Sequence, residues 1–240
     1  MKYESIFEGR FLRRLNRFVA VCEIEGREER VHVRNTSRCA ELFLPGVEVF
    51  LQYAPSPEKK TAYTLIALRK GERLVNLDSL APNKLVVEFL REGGILPGMN
   101  SRAEQLRAEA VYGHSRLDCC FVSDGTPAYV EVKGVTLEQG GKAYFPDAPT
   151  LRGLRHVQEL CQARQEGFLA YLFLVIQMEG IASFAPNYAT HPAFGEALTQ
   201  AAKQGVQIIA YDCSVAKDEI RLRTPVAVNL ADRSSETWKQ

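Results

Sequence analysis

The 240 residues predict a mixed α/β protein in two parts: a small β-barrel over residues 1–78, then an α/β domain with a mixed sheet over residues 79–240. Three observations predict it. The first third alternates short apolar stretches with polar turns, the pattern of a small barrel. The last third sets helix-period segments between apolar strands, which calls for crossover connections. Between them Ser123-Asp124-Gly125-Thr126 separates two runs rich in β-branched and aromatic residues, the signal of a β-hairpin.

In order along the chain, strands are expected over residues 18–24, 30–33, 47–51 and 62–67, with 54–60, carrying two prolines and three charges, as a surface loop. Residues 79–92 turn helical, with Leu85, Val86, Phe89 and Leu90 on one stripe and Gly93-Gly94 closing it. The boundary between the two parts belongs near this helix. Residues 117–122 and 128–133 are the hairpin strands. Thr150 is placed to cap a helix over 151–165 whose core stripe is Leu154, Val157, Leu160 and Cys161, and Gly167 ends it. The run 168–176 has no polar face and reads as a buried strand. A helix over 193–204 then leads through Gly205 into the apolar run 206–211, which suits a strand.

Composition bounds the function. With 46% hydrophobic and 25% charged residues, the chain is of ordinary globular make-up. Its net charge of +1 means that any nucleic-acid surface must be local. The six cysteines show no C-x-x-C spacing, which argues against zinc, and all are expected reduced. The first residues begin no secretion signal and the longest apolar run is too short to span a bilayer, so a cytoplasmic chain without membrane partner is expected.

The chemistry concentrates on the hairpin. Side chains alternate along a strand, so Glu131 and Lys133 share one face while Val130 and Val132 enter a core. With Asp118 opposite, two carboxylates would converge on a space for Mg²⁺ or Mn²⁺, ions that bind through one or two carboxylates plus substrate phosphate. The Val132 carbonyl would complete the set, Lys133 would orient water or stabilise developing charge, and Glu109 would assist from the preceding stretch 108–112. A Glu-x-Lys pair alone more often marks a solvated strand face. Arg152, His156 and Glu159 share a helix face apart from the core stripe, with Arg152 and His156 as phosphate contacts. Asp147 is open between a turn residue and a partner of the metal site. Residues 9–38 hold eight arginines against four glutamates, with Phe11, Phe18 and His32 interleaved. This is either a phosphate- and base-binding barrel face or a core pair of phenylalanines among solubility charges.

The run Tyr129-Val130-Glu131-Val132-Lys133-Gly134-Val135-Thr136-Leu137, then Phe145-Pro146-Asp147-Ala148-Pro149-Thr150 with Arg152-Gly153, closely resembles the sugar fermentation stimulation protein A family. So do Arg14-Leu15-Asn16-Arg17-Phe18, Val31-His32-Val33-Arg34-Asn35-Thr36 and Gly205-Val206. The resemblance covers nearly the whole chain. It departs at Ser37, where the family usually carries glycine, which bears on one loop and leaves the catalytic set intact. It implies an OB-like barrel followed by a PD-(D/E)xK nuclease-like domain, and DNA, single- or double-stranded, as partner. It favours a nucleic-acid surface that includes Arg14, Arg17 and Arg38. The expected activity is metal-dependent DNA cleavage. The rival is a non-catalytic DNA-binding regulator of sugar-metabolism genes, with residues 193–206 as part of a helix-turn-helix; a homodimer is an open expectation. Action on small phosphorylated metabolites is disfavoured, because Gly93-Gly94 and Gly140-Gly141 lack the context of a phosphate loop.

Overall fold

The computed structural model describes every residue except Thr36, Arg38, Lys59, His114, Lys239 and Gln240. The first part is built from β1 (Ile6–Arg14), β2 (Val19–Ile24), β3 (Arg27–Val33), β4 (Glu48–Tyr53), β5 (Tyr63–Lys70) and β6 (Arg73–Asn76). Strand order is β3-β2-β1-β4-β5-β6, and β3 also pairs in parallel with β5, closing five strands into an OB-like barrel. Closure removes the open edges that a five-stranded sheet would otherwise expose. The β2–β3 turn has Glu25 and Gly26 both at positive φ, 50° and 75°. That is the geometry a two-residue turn needs to follow the strands' twist.

One strand beyond those expected appears here, and its absence from the expectation has a physical reason. Residues 6–14 have no clean alternation, because eight of the nine carry charge, glycine or a half-buried side chain, yet they form the central strand β1. Its fully buried side chain is Phe11, so that phenylalanine is core, while Phe18 lies 43% exposed at the β1–β2 turn.

The second part continues with α1 (Ala81–Arg91), β7 (Glu104–Tyr112), β8 (Ser115–Ser123), β9 (Thr126–Val135), β10 (Leu137–Gln139) and β11 (Lys142–Phe145). Then come α2 (Leu151–Gln165), β12 (Leu169–Ile176), β13 (Ser183–Pro186), α3 (Pro192–Lys203), β14 (Gln207–Ala216), β15 (Glu219–Val228) and the 3₁₀ turn Ser234–Thr237. One nine-stranded mixed sheet runs β10-β11-β13-β15-β14-β12-β9-β8-β7. Its centre, β9, β12 and β14, is parallel, and α2 and α3 make the two crossovers. Thr150 caps α2 as expected, its hydroxyl accepting from Gly153 N–H at 2.9 Å. Residues 207–216 are strand, which removes the helix-turn-helix reading of that region.

The helices divide between the two faces of the sheet. On one, Leu85, Val86 and Leu90 of α1 pack with Val130, Val132, Phe173 and Val175. On the other, Val157 and Leu160 of α2 and Phe194 and Leu198 of α3 pack with Leu172, Leu174 and Ile176. The second core is continuous with the barrel interior, including Phe11, Leu42, Val49 and Leu51. No helix among the described residues is long and apolar enough to cross a membrane. All six cysteines are free thiols; Cys119 is buried and its neighbour Cys120 half-buried, on opposite faces of β8.

Candidate active site

The β8–β9 hairpin turns at Asp124 and Gly125, both at positive φ (48° and 74°), and its ladder runs from Ser123↔Thr126 to Cys119↔Val130. There the strands part. The start of β8 stays with β7, while β9 continues along β12 with Glu131 beside Leu172 and Lys133 beside Leu174. Asp118 stands at the fork. Its Oδ2 accepts from the Val132 N–H at 2.7 Å and its Oδ1 from Asn83 Nδ2 at 2.6 Å. In an antiparallel ladder one residue offers its N–H and C=O to the same side, so the Val132 carbonyl also faces the fork.

Glu131 is only 1% exposed, on the α2 side of the sheet. Its Oε1 accepts from Lys133 Nζ and from His156 Nδ1, and its Oε2 is buried with no hydrogen-bond partner. His156 in turn accepts at Nε2 from Arg152 Nε at 3.4 Å, which assigns the ring proton to Nδ1. The two carboxyls move in opposite directions. Burial, and then the nearby Glu131 charge, hold Asp118 above the usual carboxylate value. Burial also works to raise Glu131, but the His156 hydrogen bond and the Lys133 ammonium outweigh it and bring it below the usual value.

These residues fit a divalent cation. A buried carboxylate oxygen without a donor is costly, and a second carboxylate next to it adds repulsion; a cation would relieve both. Among the described residues no group of three or more His, Cys, Asp or Glu side chains gathers as a complete cage. Two carboxylates and a carbonyl are instead the sparse set that Mg²⁺ favours when substrate phosphate and water supply the rest.

The structure brings together Asp118, Glu131, Val132 and Lys133 and rearranges the others. Glu109 lies across from Asp118 in register, between the pairs Ala108↔Cys119 and Ala110↔Leu117. Its carboxylate is exposed and bonded to Arg116 at 3.2 Å, outside the cluster, on a residue with φ of 58°. His156, expected on phosphate, is 2% exposed and holds Glu131; Arg152, exposed at the start of α2, holds His156. Arg14, expected on the nucleic-acid surface, is engaged by its own surroundings. Its guanidinium donates to the carbonyls of Asn16, Arg17, Asn35 and Ser37 and lies over the Phe43 ring, so it shapes the loop after β3. Arg17 is exposed and stacks 4.7 Å over the exposed Phe18 ring. Arg38 lies outside the described residues. Asp147 Oδ2 is buried without a partner, away from the fork, in a cavity beside Thr136. Asn83 had no signal in the chain: it lies thirty-five residues before Asp118 and is an ordinary helix residue until the fold delivers it.

Comparison with known proteins agrees with this architecture. Residues 80–219 match the family model described as the sugar fermentation stimulation protein RE domain, and residues 12–77 match the SfsA N-terminal OB domain. The sugar fermentation stimulation protein homolog of Desulfitobacterium hafniense (strain Y51) is 49% identical over 232 residues, covering 97% of this chain and 100% of that protein. The homolog of Ruminiclostridium cellulolyticum is 44% identical over 230 residues, covering 96% and 100%. The structure of Pyrococcus furiosus SfsA in complex with Ca²⁺ superimposes with a TM-score of 0.84 at 28% identity, over 95% of this chain and 98% of that one. With both parts matched in order and relatives aligned end to end, this chain belongs to the sugar fermentation stimulation protein family.

Proposed function

We propose that this protein binds DNA and hydrolyses its phosphodiester bonds with Mg²⁺ or Mn²⁺. The observation that carries the reading is the buried, unpartnered Glu131 Oε2 beside Asp118 at the strand fork, with Lys133 on the same face. The Ca²⁺ bound by the Pyrococcus furiosus protein is in keeping with a divalent ion here. When bound, the ion would supply Lewis-acid polarisation of a phosphate oxygen and a more acidic water. Asp118 and Glu131 Oε2 would hold it, with the Val132 carbonyl. Asn83 and the Val132 amide fix Asp118, and His156 and Lys133 fix Glu131, so neither carboxylate needs to reorganise. Lys133, 18% exposed, keeps its ammonium at the surface of the fork where charge develops on the phosphate oxygens. Water oxygen bonds to phosphorus as the P–O ester bond breaks; the water's proton passes to solvent and the leaving oxygen takes one up.

A second reading, binding without catalysis, is favoured by the Arg17–Phe18 pair at the barrel's exposed turn, a cation and a base-stacking ring side by side. Incubating the purified protein with labelled single- and double-stranded DNA, with Mg²⁺, Mn²⁺ or a chelator, separates the two. Metal-dependent products that vanish in Asp118→Asn and Lys133→Ala are expected. Equal cleavage by either folded variant would remove the active-site assignment, and retarded but uncut DNA would leave the binding reading.

A further inference from the structure

We propose that the cavity just past Lys133, between the barrel and the sheet, receives one unpaired nucleobase of the bound strand, with Asp147 accepting from a base that presents an amino group, guanine foremost. This rests on the nucleic-acid reading above.

The cavity is about 200 Å³, the room of roughly six waters, which suits a single planar base. Its floor is the continuation of the catalytic strand: Gly134 and Thr136 line it, and at ~3.3 Å per residue Thr136 lies ~10 Å beyond Lys133. A strand with one phosphate at the fork therefore carries a neighbouring base to the cavity. Phe145 supplies an aromatic wall held in place by an edge-to-face contact with Phe194, ring centroids 5.4 Å apart.

The polar groups define what fits. Asp147 Oδ2 is buried with no hydrogen-bond partner. A carboxylate only accepts, so its complement must donate. Guanine offers N1–H and the 2-amino group side by side on its Watson–Crick edge. Thymine flanks its one N–H with two carbonyls that would face the carboxylate. At the rim Arg34 is anchored through Nη1 to the fully buried Asp78 at 2.8 Å, which leaves its other guanidinium donors for a phosphate oxygen. A base in this pocket must be out of its stack, so the cavity selects single-stranded or locally opened substrate.

The test is the affinity of the full-length protein for labelled oligothymidylates of about 12 nucleotides, in chelator and in Ca²⁺. One carries a single central guanine, one hypoxanthine in its place, and one thymine throughout. The guanine strand should bind at least about fivefold tighter than the other two. Asp147→Asn should erase that difference while leaving the affinity for the all-thymine strand. Hypoxanthine changes only the ligand, so the comparison holds even if Asp147→Asn misfolds. Equal affinity for all three strands on the unaltered protein would overturn the pocket and leave the nucleic-acid reading standing. No binding of any strand at low salt would overturn both.

Discussion

Glu131 is the residue on which the site turns. A carboxylate this deeply buried would ordinarily pick up a proton, and it is kept charged by two cationic or N–H partners on one oxygen, leaving the other oxygen open. In the proposed mechanism His156 is thus a positioning residue. Replacing it with alanine is expected to raise the Mg²⁺ concentration needed for half-maximal cleavage by about 10–100-fold, the usual cost of losing a partner of a ligating group. His156→Gln, which can still donate to Glu131, should recover part of that affinity. A fall in turnover with no change in metal requirement, in a variant of unchanged thermal midpoint, would show that His156 does not act through the ligand. His156 was visible in the chain, yet its role was not. Spacing placed it with Arg152 on one helix face, but only the packing of α2 on β9 shows that this face meets a carboxylate rather than solvent.

At the scale of elements, β9 carries Glu131 and Val132, two of the proposed metal ligands, and a constraint on how the two parts meet. A Cβ on Gly134 would lie 2.5 Å from Gln177 Oε1 and 2.9 Å from Pro82 Cγ. Gln177 cannot simply retreat, because its amide donates to Asn76 Oδ1 and the Asp78 carbonyl at the barrel's end. Gly134→Ala is therefore expected to cost about 1–3 kcal/mol in urea unfolding. A loss within experimental error would mean that this contact yields freely. The C-terminal turn is anchored differently. Asp232 accepts from Lys142 Nζ and Ser234 N–H, and these bonds bring its carboxyl down to about 2. A lowered value means stabilisation that is complete above the ordinary carboxylate range and is lost as pH falls from about 4 through 2. Because Lys142 is partly exposed, the contribution is roughly 0.5–1 kcal/mol after screening. Asp232→Asn should lower stability at pH 7 by that amount and approach the parent protein as pH falls below 2. A constant difference across the range would put its cause elsewhere.

Across the whole molecule the barrel and the sheet share a core. Phe11, Leu42 and Leu51 belong to the same apolar cluster as Val135, Leu160 and Ile176, and the buried Asn76, Asp78 and Gln177 bond across the junction. Neither half can shed the other without exposing apolar surface and orphaned polar groups. Calorimetry should then show one cooperative transition, with calorimetric and van't Hoff enthalpies in agreement. Two resolved transitions would show that the halves melt separately. The same junction supplies the cavity beyond Lys133, so under the proposed function the barrel would contribute to substrate binding through its position as well as its surface.

Local signals determined most of the elements. The Asp124-Gly125 turn, the Thr150 cap, the uninterrupted apolar run of β12 and the alternation that puts Glu131 and Lys133 on one face are short-range effects that a chain carries wherever it goes. β1 escaped because a central barrel strand with a single fully buried side chain shows little periodicity. Only the tertiary structure decided which partners complete the site. Asn83 reaches Asp118 and His156 reaches Glu131 from helices on opposite faces of the sheet, while Glu109, next to Asp118 in register, turns out to Arg116. Those outcomes depend on where strands part and which face a helix covers. The first two contacts join residues 35 and 25 positions apart, beyond any local window, and the third depends on the backbone turn at Glu109 rather than on sequence pattern.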